Sequence, residues 1–175
     1  MKESIENRFQ KLIEETDLVF RDLQGIEESD LKKKGKGWSI IQVLSHLNMS
    51  EGLSLQYMNK KVQAGKEMQE VNFINNFKMW VVCGFLGTGL KWKAPSYISN
   101  PEGNYTLDEI RKIWEATRSE IRNFIEQYPE ELLNHAVYKH PMAGRLSLEQ
   151  AVDSFVYHQR HHVYQLRRIR KELNI

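Results

Sequence analysis

The chain has 175 residues, enough for an independent hydrophobic core, and we expect a single domain over residues 1–175. Its 25 Lys+Arg and 23 Asp+Glu residues leave a formal net charge of only +2, which argues against a nucleic-acid partner. The N-terminus lacks the apolar core of a secretory signal. The most apolar stretch, Trp80–Leu90, is only about half of the ~20 residues that a membrane span needs, so we expect no membrane partner.

The sequence contains one cysteine, Cys83. A single cysteine excludes an internal disulfide framework and is typical of a protein in the reducing cytoplasm. Because no base or cation is adjacent to it in the sequence, Cys83 is predicted to be a buried apolar side chain and not a nucleophile. The basic run Lys32–Lys36 is short and is predicted to be a solvated loop.

Four long helical patterns follow one another along the chain, and three of them begin with a capping box. In this motif a hydroxyl group and a Glu or Gln side chain three residues later accept hydrogen bonds from each other's backbone N–H groups. The boxes are Ser39–Gln42, Thr106–Glu109 and Ser147–Gln150. The predicted helices are approximately Ile5–Leu23, Ile40–Ala64, Leu107–Tyr128 and Leu148–Leu173.

The connection between the second and third helices, Gly65–Tyr105, is the segment with the weakest pattern. A further short helix is predicted over Phe73–Leu90, followed by an irregular crossover. A second irregular loop is predicted over Tyr138–Arg145. The sequence has no convincing alternation of apolar and polar residues that would indicate a sheet. We therefore predict an all-α fold, a four-helix bundle with one long crossover, and such bundles hold metal sites between facing helices.

The fourth predicted helix carries three histidines, His158, His161 and His162. At about 100° per residue, His158 and His162 project into the apolar stripe of that helix, whereas His161 falls outside it and is expected to face solvent. Imidazoles four residues apart share a helix face and can bind one metal ion. An isolated pair of this kind is more often two ordinary histidines with hydrogen-bond partners, so the pair alone leaves both interpretations open.

His46 is the candidate third ligand, because it lies near the start of the second helix at the margin of its apolar face. Three neutral imidazoles would leave a coordination position open, as catalytic metal sites do. Gln165 lies beside the histidine pair on the helical wheel and is either a group that orients a ligand or a polar boundary residue. Glu51 is the nearest acid to His46 along the chain, but its direction on the helix differs.

Two segments of the chain match a known family. Gly37-Trp38-Ser39-Ile-Ile-Gln-Val-Leu-Ser-His46-Leu47 and His158-Gln-Arg-His-His162-Val-Tyr-Gln165 together resemble the DinB-like (DinB/YfiT) superfamily, which includes bacillithiol and mycothiol S-transferases. The resemblance implies an up-down-down-up four-helix bundle, frequently in a homodimer. It also implies a divalent metal ion, zinc or nickel, held by His46, His158 and His162.

Two classes of function follow as expectations. The first is a metal-dependent enzyme that activates a thiol or a water, a thiol S-transferase or a small-molecule hydrolase, whose substrate is a small molecule such as a low-molecular-weight thiol. The second is a non-enzymatic small-molecule-binding or stress-response module, in which Trp80, Trp92 and Tyr97 either line an apolar pocket or simply pack in the core. The sequence assigns no catalytic acid or base.

Overall fold

The computed structural model of the protein describes residues 2–65, 68–71, 79, 81–82, 84 and 99–175. The predictions made for Cys83, for most of Phe73–Leu90 and for the aromatic residues of the crossover lie outside these residues. The described helices are α1 (Lys2–Leu23), α2 (Glu28–Lys32), α3 (Ile40–Gln63), α4 (Leu107–Gln127) and α5 (Leu148–Leu173), with a 3₁₀ turn at Glu130–Leu132.

The four long helices begin and end close to the predicted positions, because their boundaries depend on local chemistry. All three predicted capping boxes form, at the N-termini of α3, α4 and α5. At the first of them, Ser39 Oγ accepts a hydrogen bond from the Gln42 amide at 3.2 Å and Gln42 Oε1 accepts from the Ser39 amide at 3.1 Å. Helix α5 ends at Asn174, whose left-handed φ of 58° stops the helix.

Each long helix packs against two others: α1 and α3 both contact α4 and α5. One buried cluster joins the start of α1 and α5 to the end of α3 and α4, through side chains such as Phe9, Met58 and Phe155. A second cluster joins the end of α1 and α5 to the start of α3 and α4, through Phe20, Leu44 and Trp114. The mostly helical structure agrees with the predicted all-α class. No helix in the described part of the chain is long and apolar enough to cross a membrane.

The prediction of an irregular loop over Tyr138–Arg145 is wrong in one respect, because this segment contains a short antiparallel hairpin. Strands β1 (Tyr138–His140) and β2 (Gly144–Leu146) pair with Tyr138 opposite Leu146 and His140 opposite Gly144. Three-residue strands are too short to produce a detectable alternation in the sequence. The hairpin packs against α3 and α5 and therefore covers part of the helical core.

Candidate metal centre

The imidazoles of His46, His158 and His162 converge between α3 and α5. Nε2 of His158 lies 3.3 Å from Nε2 of His46 and 3.1 Å from Nε2 of His162. One ligand nitrogen of each residue lies within 4.8 Å of those of the other two. Zinc binds imidazole nitrogens at about 2.0–2.1 Å, so two nitrogens of one tetrahedral site are about 3.4 Å apart. The three side chains therefore fit a shared divalent cation.

Local structure explains why these three residues meet. The capping box at Ser39 fixes the start of α3, and His46 follows the cap by seven residues on the side that faces α5. On α5 the four-residue spacing places His158 and His162 one turn apart on the same face. This face lies between the two apolar clusters, because Val156 belongs to one and Leu166 to the other.

Burial keeps the imidazoles of His158 and His162 neutral, the form that binds metal. His46 and His162 are buried, with 2% and 7% of their surface exposed, and His158 is partly buried. Burial, followed by the neighbouring His162 and His46, holds the pKa of His158 well below its ordinary value. Burial also lowers the pKa of His162 to about 3. A proton therefore competes poorly for these nitrogens at neutral pH.

Gln165 orients one of the three imidazoles. Its Oε1 lies 2.8 Å from Nδ1 of His162. An amide oxygen only accepts hydrogen bonds, so Nδ1 of His162 donates and the lone pair of that ring lies on Nε2, toward the cluster. A hydrogen bond of this kind fixes the tautomer of a metal-binding histidine. Of the two alternatives for Gln165, the geometry favours orientation of a ligand.

Trp38 forms an aromatic wall beside the cluster, a role that its place in the sequence motif did not reveal. Its ring lies 4.8 Å from that of His46 and 6.4 Å from that of His162, and the latter pair is nearly parallel at 19°. The side chain is partly buried. The sequence did show that Trp38 immediately precedes the Ser39 cap. Because the capping box fixes the direction in which the chain enters α3, this position could have predicted that Trp38 lies near His46.

The prediction that His161 faces solvent is wrong. Only 7% of its surface is exposed, and its ring contacts that of His162 edge to face at 5.2 Å between centroids. Helix α5 packs against α1, α3 and the hairpin, so its buried face is wider than the single apolar stripe that the helical wheel assumed. His161 is nevertheless not a member of the convergent cluster among the described residues.

Glu51 serves a different site from the one near His46. Its carboxylate accepts two hydrogen bonds from Arg118, from Nε at 2.6 Å and from Nη2 at 2.8 Å. It also accepts one from Trp114 Nε1 at 3.0 Å. Nη2 of Arg118 donates further to Thr16 Oγ1 at 3.0 Å, and Thr16 donates to Gln159 Oε1 at 2.6 Å. This buried polar network thus connects all four long helices and engages both carboxylate oxygens of Glu51.

Comparison with known proteins assigns the chain to a family. The family model of the DinB superfamily matches residues 8–166, so the chain belongs to the DinB superfamily. An uncharacterized protein of Bacillus subtilis (strain 168), YuaE, is 23% identical over 159 residues, which cover 89% of this chain and 92% of that protein. No solved structure matches the chain significantly. Neither of these matches names a reaction.

Proposed function

We propose that the chain is a metal-dependent enzyme of the DinB type, a thiol S-transferase or a small-molecule hydrolase. It is proposed to form one domain, an up-down-down-up four-helix bundle, which acts in the cytoplasm as a homodimer. The arrangement of the two apolar clusters supports this chain course, because each cluster joins the start of one helix pair to the end of the other.

The observation that carries the proposal is the convergence of three Nε2 atoms from His46, His158 and His162. These residues would hold a divalent ion, zinc or nickel. Three imidazoles suit both metals and leave a position for a further ligand. A bound ion of this kind lowers the pKa of a coordinated water or thiol toward neutrality.

The protein's own residues supply orientation and exclusion of water. Gln165 fixes the tautomer of His162, and the Trp38 ring covers His46 and His162. The lowered pKa values of His158 and His162 keep these two imidazoles available as ligands. A small thiol fits these features as the substrate, because it binds a divalent ion as its thiolate and needs no separate nucleophile from the protein.

Metal analysis of untagged protein tests the ligand set. We expect about one divalent ion per chain in the wild type and a large loss in His162→Ala, because two imidazoles do not suffice for a stable site. His135→Gln is the matched control, since His135 is partly buried but lies outside the cluster. Stoichiometric metal in His162→Ala would overturn the assignment.

Turnover tests the enzymatic part of the proposal separately. A panel of electrophiles and amide substrates is incubated with several low-molecular-weight thiols, with and without a chelator. We expect consumption of at least one substrate that the chelator abolishes and that fails in His46→Ala. Stoichiometric metal without metal-dependent turnover would instead favour the non-enzymatic binding module.

A further inference from the structure

A concave site separate from the histidine cluster lies between the hairpin and the C-terminal half of α3. Its cavity measures about 250 Å³ and is lined by side chains from three parts of the chain. Lys61 comes from α3, Gln69 from the short segment that follows it, and Lys139 and Arg145 from the two strands. None of these residues belongs to the histidine cluster.

The lining of this cavity is strongly cationic. Lys61, Lys139 and Arg145 all contribute to it, and no acidic residue does among the described lining residues. Within the described part of the chain, none of the three forms a salt bridge, whereas six other Arg and Lys residues do. Three positive charges therefore share one concavity without a counterion from these parts of the protein.

The hairpin register intensifies this concentration of charge. Lys139 and Arg145 are direct cross-strand partners, so their side chains project from the same face of β1–β2. Like charges at directly opposed positions destabilise a sheet. Glu70 is near in sequence, but it neighbours Gln69 in an extended segment that bridges to His135, and alternation directs the two side chains to opposite sides. An anionic ligand in the adjacent cavity would compensate this repulsion.

Two tyrosines complete the cavity and define its shape. Tyr138 is held in place because Ser54 Oγ donates a hydrogen bond to its hydroxyl at 2.8 Å. The Tyr57 ring packs edge to face against Tyr138 at 5.9 Å, and 42% of its surface is exposed. The cavity thus offers an exposed aromatic surface beside three cations. A ligand with an anionic group and an organic body matches both features.

We propose that this cavity binds the phosphate group of a small phosphate monoester, with the organic body of the ligand against Tyr57. A phosphate monoester carries about −1.5 to −2 charges and three acceptor oxygens at neutral pH. The planar Arg145 guanidinium matches two phosphate oxygens, and Lys61 and Lys139 each supply a compact charge. A monocarboxylate would neutralise only one of the three cations. The proposal does not depend on the metal centre or on its chemistry.

Calorimetric titration of full-length, chelator-treated protein tests the site, with phenyl phosphate and inorganic phosphate as probes at constant ionic strength set with chloride. We expect saturable binding of both, tighter for phenyl phosphate. The variant Lys139→Gln/Arg145→Gln should lose about tenfold or more in affinity, because two charge-assisted contacts disappear. Its thermal midpoint without ligand at low salt should equal or exceed that of the wild type, since the cross-strand repulsion is removed.

The matched control is Lys11→Gln/Lys112→Gln, which removes the same charge from exposed positions on α1 and α4. This variant should bind phenyl phosphate as the wild type does. Equal losses in both double variants would show general charge attraction and overturn the proposal. Undetectable binding to the wild type would also overturn it, and so would tighter binding of succinate than of phenyl phosphate. Retained binding in His162→Ala separates this site from the metal centre.

Discussion

Gln165 Oε1 accepts a hydrogen bond from Nδ1 of His162, with 2.8 Å between the two atoms, and this contact sets which nitrogen of His162 faces the histidine cluster. Both residues lie on α5, so the contact forms within a single helix turn and does not depend on the approach of another element. If the cluster binds a metal as proposed, its affinity should depend on Gln165, which is not itself a ligand.

Gln165→Ala should therefore weaken metal binding about 10- to 100-fold, the usual effect of removing a partner that orients a ligating histidine. Competition with a chromophoric chelator measures this change. Gln165→Glu should retain most of the affinity, because a carboxylate oxygen accepts the same hydrogen bond. Gln63→Ala, at the exposed end of α3, is the control. Unchanged affinity in Gln165→Ala would show that the tautomer of His162 is fixed by something else.

Removing Arg118 alone from the buried pair with Glu51 should destabilise the fold strongly. Replacing both residues by apolar side chains should cost much less stability. Arg118→Met leaves the Glu51 carboxylate, 2% exposed, without its cation, and should lower the free energy of unfolding by about 3–5 kcal/mol. The double variant Glu51→Leu/Arg118→Met should recover much of this loss, because no charge remains buried. Urea denaturation measures both variants.

An exposed pair provides the comparison for that experiment. Arg111 Nε lies 2.9 Å from Glu115 Oε1 on the surface of α4, and Arg111→Met should cost less than about 1 kcal/mol. If Arg118→Met were no more destabilising than Arg111→Met, the interior network would contribute little to the stability of the fold.

His140 should make the fold less stable in mild acid. Burial lowers its pKa from 6.5 to about 4, and its Nδ1 accepts hydrogen bonds from the amides of Met142 and Ala143 at 3.2 and 3.1 Å. Between these two pKa values the unfolded chain binds the proton and the folded chain does not. Stability contributed by neutral His140 is therefore complete above pH 6.5 and decreases as the pH falls toward 4, by up to about 3 kcal/mol.

His140→Asn isolates this contribution, because an Asn oxygen can accept the same backbone hydrogen bonds but does not titrate. Denaturation of both proteins with a chelator present, between pH 4 and 7, should give similar stabilities near pH 7, with the wild type falling below the variant as the pH approaches 4. Other buried histidines titrate in both proteins and cancel in the difference. Parallel curves would contradict the lowered pKa.

Trp38 should report metal binding directly. Its ring lies 4.8 Å from His46, close enough for an open-shell ion such as Ni²⁺ to quench its fluorescence. The sequence has four tryptophans, so partial quenching by one equivalent of Ni²⁺ is expected in the wild type. Trp38→Phe preserves an aromatic wall and should lose that component. Identical quenching in the variant would place the bound ion elsewhere.

The sequence by itself determined the positions of the four long helices. Three capping boxes and the apolar spacing are local signals, and local hydrogen bonds are what start a helix. It also determined that His158 and His162 share a face, because helix geometry requires it. The DinB membership was visible in two short segments, and the family model matches residues 8–166. The metal, the substrate and the dimer stay predictions.

Only the tertiary structure decided which polar groups meet. His161 is buried because α5 packs against α1, α3 and a hairpin at once, a fact that no single helical wheel contains. Glu51 is directed to Arg118, and His46 to His158, by the way α3 packs between α4 and α5. The hairpin forms by pairing two strands too short to show a pattern. These contacts join residues distant in sequence, and their energies depend on burial that only the packed chain creates.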